Sequence, residues 1–431
     1  MQPENFLTHT LRNHPRGDTV TRILTAAMQA VAPERLSYPH LQEILQKQDG
    51  EIFVLGLGKA AQAMTLPLAR SLADRPHLGL LIPKQAPTHA PAGFEIIPGG
   101  HPVPDENSLR AGLRAIELAN RLGKDDLLLC LISGGGSALM TAPHPGLSLD
   151  DLQVLTSALL ACGARIDEIN ILRRHLDRVK GGGLARAAYP ARVVSYILSD
   201  VVGSPLEAIA SGPTAPDPSS KADALRVLAK YDLTDKVPTA VVTALENAPE
   251  TPKPGDGLFE RVENIIVGSN ALAAQAALRQ AKAEGFHPEF LGDTWQGEAR
   301  EAANTLCAFM KNPQAKRPFC LVAGGETTVS MRGNGLGGRN QELALAAVTE
   351  LAGLEDVLLV TLATDGEDGP TAAAGAVVSG ETFQRAQALG LDPRDFLERN
   401  DSYHFFKALG DGLCAGPSGT NVNDLTFLFA F

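Results

Sequence analysis

The most constraining feature of this sequence is a repeated pattern in which a short apolar run is followed by a turn and then by a segment with helical periodicity. Short apolar runs bounded by turn residues are typical of buried strands. The predicted strands cover 52–55, 78–82, 94–97, 126–132, 192–198, 263–267, 287–291, 318–323, 357–363 and 425–431. Because strands alternate with helices in both halves of the chain, the pattern predicts an α/β fold with two doubly wound, largely parallel sheets flanked by helices.

The length of 431 residues favours more than one domain, since single hydrophobic cores rarely grow so large. Two stretches rich in Pro, Asp and Gly, at 213–218 and 249–257, have the composition of loops or linkers. We place the boundary at the second stretch. The predicted domains are therefore residues 1–252 and 253–431.

Composition narrows the classes of partner. The formal net charge of −11 argues against a nucleic-acid partner, because such a partner is held by many contacts from cations to phosphates. No apolar run approaches the length of a membrane span, and the first residues lack the apolar core of a signal peptide. The five cysteines are scattered without a paired spacing. We expect a cytoplasmic monomer or homodimer with reduced cysteines and no membrane partner.

Two glycine-rich turns follow predicted strands in the first half of the chain. In open α/β sheets, ligands bind beyond the carboxyl ends of strands, and glycine turns there can direct backbone N–H groups at a phosphate. Lys59 begins a helix, where its charge opposes the helix dipole unless an anion lies nearby. We assign Lys59 to catalysis and the nucleotide phosphates to Gly58, Ser133, Gly134, Gly135, Gly136 and Ser137.

A third glycine-rich stretch, GGETTVSMRGNGLGGRNQ at 324–341, joins a predicted strand to a predicted helix. Arg339 stands where that helix begins, so its guanidinium and the first free N–H groups of the helix could hold one anion together. We assign Arg339 to catalysis, Asn340 to substrate binding, and Gly324, Gly325, Gly337 and Gly338 to phosphate binding. Glycine clusters also form hairpins and tight turns that bind nothing, and this alternative stays open for each loop taken alone.

Several acids lie at or near the ends of predicted strands. Mg²⁺ prefers carboxylate oxygens, and phosphoryl transfer needs an aligned hydroxyl nucleophile. We assign Asp365, Asp368 and Glu326 to Mg²⁺, and Asp200 to catalysis, where it would hold the metal or accept the hydroxyl proton. Asp424 shares the same kind of position. Each acid alone could equally be a helix cap or a turn residue.

Cations near these loops are candidates for substrate binding. Arg173 and Arg174 open a basic stretch that ends at a run of glycines, and in an acidic chain this favours a clamp for a carboxylate or phosphate. A solvated helix face is the alternative. His101 lies between Gly100 and Pro102 and could be a ligand or a base. We assign Arg173, Arg174 and His101 to the substrate.

These motifs together resemble the MOFRL-type glycerate 2-kinases, a family long labelled as hydroxypyruvate reductases. The motifs that carry the resemblance span nearly the whole chain in order: GKAA at 58–61, GGHPVPDENS at 99–108, SGGGSA at 133–138, the run 170–183, LSDVVGSPLEAIASGPT at 198–214, GGETTV at 324–329, GNGLGGRNQE at 333–342, ATDGEDGPTAAAG at 363–375 and GTNVNDL at 419–425.

The resemblance implies phosphorylation of D-glycerate at its 2-hydroxyl by ATP, with Mg²⁺, to give 2-phosphoglycerate and ADP. It implies an active site in the cleft between the domains and a MOFRL region at about 318–425. It also implies that Lys59 and Arg339 form the cationic pair that meets the transferring phosphoryl group and the substrate.

Two other functions stay open at the level of sequence. One is an NAD(P)H-dependent hydroxypyruvate reductase, although no G-x-G-x-x-G followed by an acid about twenty residues later comes after the first strand. The other is a non-catalytic protein that binds a sugar acid. Lysine, arginine and acids clustered on glycine loops favour the kinase over both.

Overall fold

A computed structural model describes residues 1–72, 75–89, 91–311 and 316–431. Its strands coincide with the predicted apolar runs, and two further short strands follow residue 374. The strands are β1 (Ile52–Leu57), β2 (Leu78–Ile82), β3 (Phe94–Ile96), β4 (Leu127–Ile132), β5 (Arg192–Leu198), β6 (Val262–Gly268), β7 (His287–Phe290), β8 (Phe319–Gly325), β9 (Val357–Ala363), β10 (Gly375–Ser379), β11 (Gly412–Leu413) and β12 (Asp424–Ala430).

Helices separate most of these strands, as the alternating pattern requires. The α-helices are α1 (His9–Asn13), α2 (Gly17–Ala30), α3 (Leu41–Gln46), α4 (Ala61–Leu72), α5 (Glu106–Ala119), α6 (Gly136–Leu139), α7 (Leu149–Ala161), α8 (Ile166–His175), α9 (Gly183–Ala188), α10 (Lys221–Lys230), α11 (Thr239–Asn247), α12 (Asn270–Ala283), α13 (Ala299–Met310), α14 (Arg339–Leu351), α15 (Thr382–Ala388), α16 (Pro393–Glu398) and α17 (Ser402–Leu409). Short 3₁₀ turns lie at Pro3–Phe6, Pro33–Arg35, Ile209–Ser211 and Gly257–Arg261.

The first sheet has six strands in the order β3-β2-β1-β4-β5-β6. The pairs β3·β2, β2·β1, β1·β4 and β4·β5 are parallel, as predicted. The chain moves outward from β1 to β3 and then returns to the other side of β1, so the order reverses between β1 and β4. In open α/β sheets such a reversal leaves a crevice beyond the carboxyl ends of the two strands, where ligands bind.

The second sheet also has six strands, in the order β11-β10-β9-β12-β8-β7. The prediction of a second α/β sheet flanked by helices is confirmed, but the pairing is mixed rather than largely parallel. β7 and β8 are parallel, whereas β12 lies between β8 and β9 and is antiparallel to both, and β10 is antiparallel to β9 and β11. A buried strand has the same apolar composition in either direction, so the sequence pattern does not reveal its direction.

The chain forms two compact units, one of residues 36–267 and the other of residues 1–35 with 268–431. The predicted boundary at 252/253 is therefore corrected in two respects. β6 belongs to the first sheet, and the first helices belong with the second sheet, because α2 packs on α12. An amphipathic helix shows that one face is buried, but its sequence does not say against which partner.

Each unit has its own apolar core. In the unit of residues 36–267, one core lies on the first sheet and a second joins α7, α8, α10 and α11. In the other unit, the core lies between the second sheet and the helices α13, α14 and α17. In the described parts of the chain, no helix combines the length and the apolar character needed to span a membrane.

Candidate active site

Hydrogen bonds join the loops that follow β1 and β4, where the strand order of the first sheet reverses. The backbone N–H of Lys59 donates to the carbonyl oxygen of Gly134 at 2.9 Å, and the N–H of Ala60 donates to Ser133 Oγ at 3.0 Å. Gly58 has a φ of +118°. A Cβ atom on Gly58 would lie 2.3 Å from Ser133 Oγ, so glycine is required for this close approach.

Three predicted residues meet around the glycine loop after β4. A Cβ atom built on Gly135 would lie 3.2 Å from Lys59 Cε and 3.1 Å from His101 Cδ2, so both side chains lie over this glycine. A Cβ atom on Gly134 would lie 1.9 Å from Asp200 Oδ2, so the carboxylate rests against the backbone there. The structure thus gathers a lysine, a histidine and a carboxylate within one loop region.

The electrostatics of this group favour binding of an anion. Lys59 is exposed and His101 is partly buried. Burial lowers the pKa of His101, and the nearby charges of Lys59 and Lys84 lower it further. The imidazole is therefore neutral at pH 7 and can accept a proton, while Lys59 carries the positive charge.

A cavity of about 500 Å³ opens beside this loop. Its lining includes His101, Gly135, Ser137 and Arg173. The Arg173 guanidinium is mostly buried, and among the described residues its one hydrogen-bond partner is Asn170 Oδ1, at 3.4 Å. Arg173 can therefore donate to a ligand, in keeping with its predicted role.

The neighbouring Arg174 does not support its predicted role in substrate binding. Its side chain is 5% exposed and points into the protein interior. Its Nε donates to Asp217 Oδ1 at 2.8 Å and its Nη2 to Ser219 Oγ at 3.1 Å. The guanidinium is thus occupied by a buried ion pair that holds the helical part of this unit together.

Sequence reasoning missed a buried ion pair on the cavity wall. Lys180 and Asp177 both line the cavity, and Lys180 Nζ donates to an Asp177 carboxylate oxygen. The same ammonium also donates to Met140 O and Thr141 Oγ1, at 3.3 and 3.4 Å. Lys180 was visible as part of the basic stretch, but its partner Asp177 lacks any motif that would single it out.

In the other unit, Arg339 is held by two carboxylates. Its Nε and Nη2 donate to the two oxygens of Asp424 at 2.5 and 3.2 Å, and its Nη1 lies 2.7 Å from Glu326 Oε1. Asp424 is the first residue of β12 and pairs with the last residues of both β8 and β9. Burial raises the pKa of Asp424 to about 6, although Arg339 acts in the opposite direction.

The N-terminus of α14 does not present its first free N–H groups to an anion as predicted, because Asp368 already binds there. Asp368 accepts from the backbone N–H of Asn340 at 3.1 Å and of Gln341 at 2.8 Å. Both side-chain amides donate to the same carboxylate. With four donors on its two oxygens, Asp368 is a helix cap from a distant loop, which corrects its assignment to Mg²⁺.

Asn340 is likewise corrected as a substrate ligand. Its side chain is 2% exposed. Its amide nitrogen donates to Asp368 Oδ1 at 3.3 Å, and its backbone carbonyl accepts from Thr361 Oγ1 at 3.0 Å. Asn340 therefore fixes the start of α14 rather than facing a ligand.

The four glycines of the 324–341 stretch that were assigned to phosphate binding divide into two pairs. Gly324 and Gly325 belong to β8, and the N–H of Gly324 donates to Gly292 O at 2.8 Å, so this pair is corrected as a phosphate site. Gly337 and Gly338 instead line a cavity of about 540 Å³ together with Arg339.

Gly338 is required for the cap on α14, because a Cβ atom there would lie 2.3 Å from Asp368 Oδ1. The loop before it is tied to the segment 399–403: Asn400 Oδ1 accepts from the N–H groups of residues 332 and 333, at 2.7 and 3.0 Å. The part of the stretch still suited to an anion is therefore 337–339.

The residues present fit a metal ion held mainly by ligand phosphates. Within the described ranges, no group of three or more His, Cys, Asp or Glu side chains could hold a metal. Glu326 is engaged by Arg339 and Asn423, whereas Asp365 is partly buried and one of its carboxylate oxygens accepts from the N–H of Glu367 at 3.2 Å. Mg²⁺ commonly binds one or two carboxylates plus substrate phosphates, so Asp365 remains the better of the two candidates.

Comparison with known proteins gives consistent matches over nearly the whole chain. Residues 19–246 match a family described as a domain of unknown function, DUF4147, and residues 319–424 match the MOFRL family. A D-glycerate 2-kinase from Thermotoga maritima is 42% identical over 94% of this chain and 95% of its own length. A protein from Agrobacterium vitis, named "Putative hydroxypyruvate reductase", is 39% identical over 94% of this chain and 92% of its own.

A crystal structure of glycerate kinase from Thermotoga maritima superposes with a TM-score of 0.88 and 41% identity, and covers 96% of this chain and 99% of that one. The resemblance inferred from the motifs is thereby confirmed. Two domain matches in the expected order, identity above 40% and the same fold over almost every residue lead to one conclusion: this chain belongs to the glycerate kinase family in which a DUF4147 domain precedes a MOFRL domain.

Proposed function

We propose that the protein transfers the γ-phosphoryl group of ATP to the 2-hydroxyl of D-glycerate, giving 2-phosphoglycerate and ADP. The observation that carries this proposal is the meeting of Lys59, His101 and Asp200 around the glycine loop at the reversal of the first sheet. The name D-glycerate 2-kinase on a relative 42% identical supports the choice of substrate and position.

In this reaction the 2-hydroxyl oxygen forms a bond to the γ-phosphorus while the bond from that phosphorus to the β,γ-bridging oxygen breaks. The hydroxyl proton must leave, and ADP takes the negative charge of the leaving oxygen. Most of the catalysis is positioning and electrostatic stabilisation of the phosphoryl oxygens. Lys59 supplies a positive charge for those oxygens, and its exposed ammonium is placed to meet a bound ligand.

Two residues near Lys59 could accept the hydroxyl proton. His101 is neutral because burial and Lys59 lower its pKa, and Asp200 rests against Gly134. We assign the proton to Asp200 and the orientation of the substrate to His101.

The resemblance also gives a catalytic role to Arg339, which belongs to the unit that contains residues 268–431. Its guanidinium lines the cavity with Gly337 and Gly338, while Asp424 and Glu326 hold it in one orientation. A fixed, planar guanidinium suits the oxygens of a phosphoryl group or carboxylate. Asp365 or Asp200 would hold Mg²⁺ together with the nucleotide phosphates, and the ion would supply further positive charge.

The test is a product assay with D-glycerate, ATP and Mg²⁺, coupled to enolase alone or to phosphoglycerate mutase with enolase. A signal with enolase alone identifies 2-phosphoglycerate, as expected. A signal that needs the mutase would show attack by the 3-hydroxyl and contradict the proposed position.

Two controls make the assay specific. Lys59→Met, purified in the same way, should lose at least about 100-fold in rate, because it removes a charge that acts on the transition state; equal activity would indicate a contaminating kinase. A parallel assay follows NADH or NADPH with hydroxypyruvate, the reaction suggested by the name of the Agrobacterium vitis relative. Oxidation of either coenzyme without phosphorylation would overturn the kinase assignment.

A further inference from the structure

The cavity beside the glycine loop after β4 is larger than glycerate requires. Its volume of about 500 Å³ lies within the range of roughly 300–1,000 Å³ found for sites that bind drug-sized ligands. A three-carbon acid would fill only a fraction of that space. The size is that expected of a site for a nucleotide.

The lining of this cavity combines two kinds of residue. His101, Gly135, Ser137 and Arg173 offer hydrogen-bond donors and positive charge. The other kind consists of apolar side chains from α7, α8 and the residue after α8, which we call the leucine wall and most of which also belong to the helical core: Leu152, Leu155, Leu159, Leu160, Ile169, Leu172 and Leu176. A ligand with both an anionic and an apolar part fits such a lining.

Arg173 and Lys180 differ in what they can give to such a ligand. The Lys180 ammonium is already bonded to Asp177, Met140 O and Thr141 Oγ1. Arg173 is mostly buried, its pKa is lowered by burial, and among the described side chains and carbonyls it has one long bond, to Asn170. A buried guanidinium with unused donors is stabilised by an anion in the cavity.

We propose that this cavity binds the phosphoryl donor, with the nucleobase against the leucine wall and the phosphates toward Gly135, Ser137 and Arg173. The inference rests on the proposed function and deepens it, because it assigns nucleotide binding to the unit of residues 36–267. Glycerate gains nothing from the leucine wall, since each of its carbon atoms carries oxygen. A base has two flat faces whose burial against aliphatic side chains is favourable.

The first test fills the cavity from α7. Thr156 lines the cavity, is partly buried, and its hydroxyl donates only within the helix, to Leu152 O at 2.8 Å. Thr156→Trp therefore places a ring in the ligand space without breaking a tertiary hydrogen bond. Val154→Trp is the matched control, because Val154 is 48% exposed on the same helix and lies outside the cavity lining.

Binding is measured by titration calorimetry with ATP and with adenosine, in the absence of glycerate. Thr156→Trp should weaken both ligands by roughly tenfold or more, the scale expected for a steric clash in a packed site. Val154→Trp should bind both as the wild type does. Arg173→Gln should weaken ATP but not adenosine, since adenosine has no phosphate to meet the guanidinium.

Steady-state kinetics then separate this proposal from the proposed function. In a folded Thr156→Trp protein, checked by circular dichroism, we expect a raised KM for ATP and an unchanged KM for glycerate. A raised KM for glycerate alone would assign the cavity to the acid and overturn the inference. Wild-type affinity for ATP in that variant would overturn it as well.

If the wild-type protein fails to phosphorylate glycerate, the proposed function fails, yet the calorimetry still decides the cavity. Weakened ATP binding in Thr156→Trp would then support a nucleotide site. No ATP binding by the wild type would overturn it.

Discussion

At the scale of single residues, the protonation of Asp424 determines whether its ion pair with Arg339 forms. Burial raises the pKa of this carboxyl to about 6, so it takes up a proton at a higher pH than an exposed aspartate does. Below about pH 6 the neutral form no longer binds the guanidinium as an ion pair. We expect kcat/KM for phosphorylation to fall as the pH drops through this value, measured by direct detection of the product.

Two variants separate the effect of Asp424 from that of His101, a second group able to take up a proton, whose pKa is lowered by burial. Asp424→Asn should lower activity and abolish the fall of kcat/KM at acidic pH, because residue 424 can no longer gain or lose charge. His101→Asn should still show this fall of kcat/KM at acidic pH. If the fall at acidic pH persists in Asp424→Asn and disappears in His101→Asn, the titration of His101 causes it.

Two adjacent arginines show why the sequence does not reveal what each single side chain contacts. Arg173 and Arg174 are adjacent on α8, and successive helical side chains point in directions about 100° apart. The basic stretch gave no sign that Arg174 turns inward to Asp217, whereas the substrate role of Arg173 stays a prediction. Asn340 was misassigned for a related reason, because its partner Asp368 lies on a distant loop.

At the scale of elements, the start of α14 depends on Asp368. This carboxylate accepts two backbone N–H groups and two side-chain amides. Asp368→Asn removes the charge and one acceptor oxygen, and it places an NH₂ group where donors already point. We expect a loss of about 1–2 kcal/mol in the free energy of unfolding, the usual cost of losing a helix cap, measured by urea denaturation.

This variant also distinguishes a cap from a metal ligand. If Asp368 is a helix cap, Asp368→Asn should be less stable than the wild type, and its activity should depend on Mg²⁺ concentration as the wild type does. Unchanged stability with a strongly raised Mg²⁺ requirement would restore the original assignment of Asp368. Asp392→Asn is a suitable comparison, because Asp392 is exposed and its side chain caps α16 through a single N–H, that of Arg394, at 2.9 Å.

The elements themselves were largely visible in the sequence. Long apolar runs such as β4 and β9 are buried along their whole length and were predicted within a residue or two. β10 and β11 were missed, because β10 follows a small-residue loop and β11 has two residues. The phosphate-binding role of the loop after β4 stays a prediction. Gly324 and Gly325 are strand residues, since glycine serves close packing as readily as ligand binding.

At the scale of the whole molecule, the first 35 residues complete the unit that contains residues 268–431. Ile23 lies on α2 and is fully buried. Ile23→Ala should cost about 2–5 kcal/mol through the cavity it leaves. By hydrogen exchange, α12 should lose protection while β1 and β4 keep theirs.

The surface ion pair between Arg22 and Glu284, at 2.7 Å, joins α2 to the end of α12 and provides the comparison. Arg22→Ala should cost less than about 1 kcal/mol, because exposed pairs contribute little. Loss of protection in β1 and β4 upon Ile23→Ala would instead place the N-terminal helices with the first sheet, as the sequence had suggested. That boundary was beyond sequence reasoning, because chain order alone puts α2 nearer to β1 than to α12.

The packing of α2 on α12 has a consequence for the order in which the chain is made. α2 leaves the ribosome well before its partner α12, which begins at Asn270. At roughly 5–20 residues per second, tens of seconds of synthesis separate the two. Residues 36–267 can fold as a unit in that interval, whereas the apolar face of α2 stays exposed and must be kept from wrong contacts. A helix that is synthesised before residues 36–267 is therefore buried only after them.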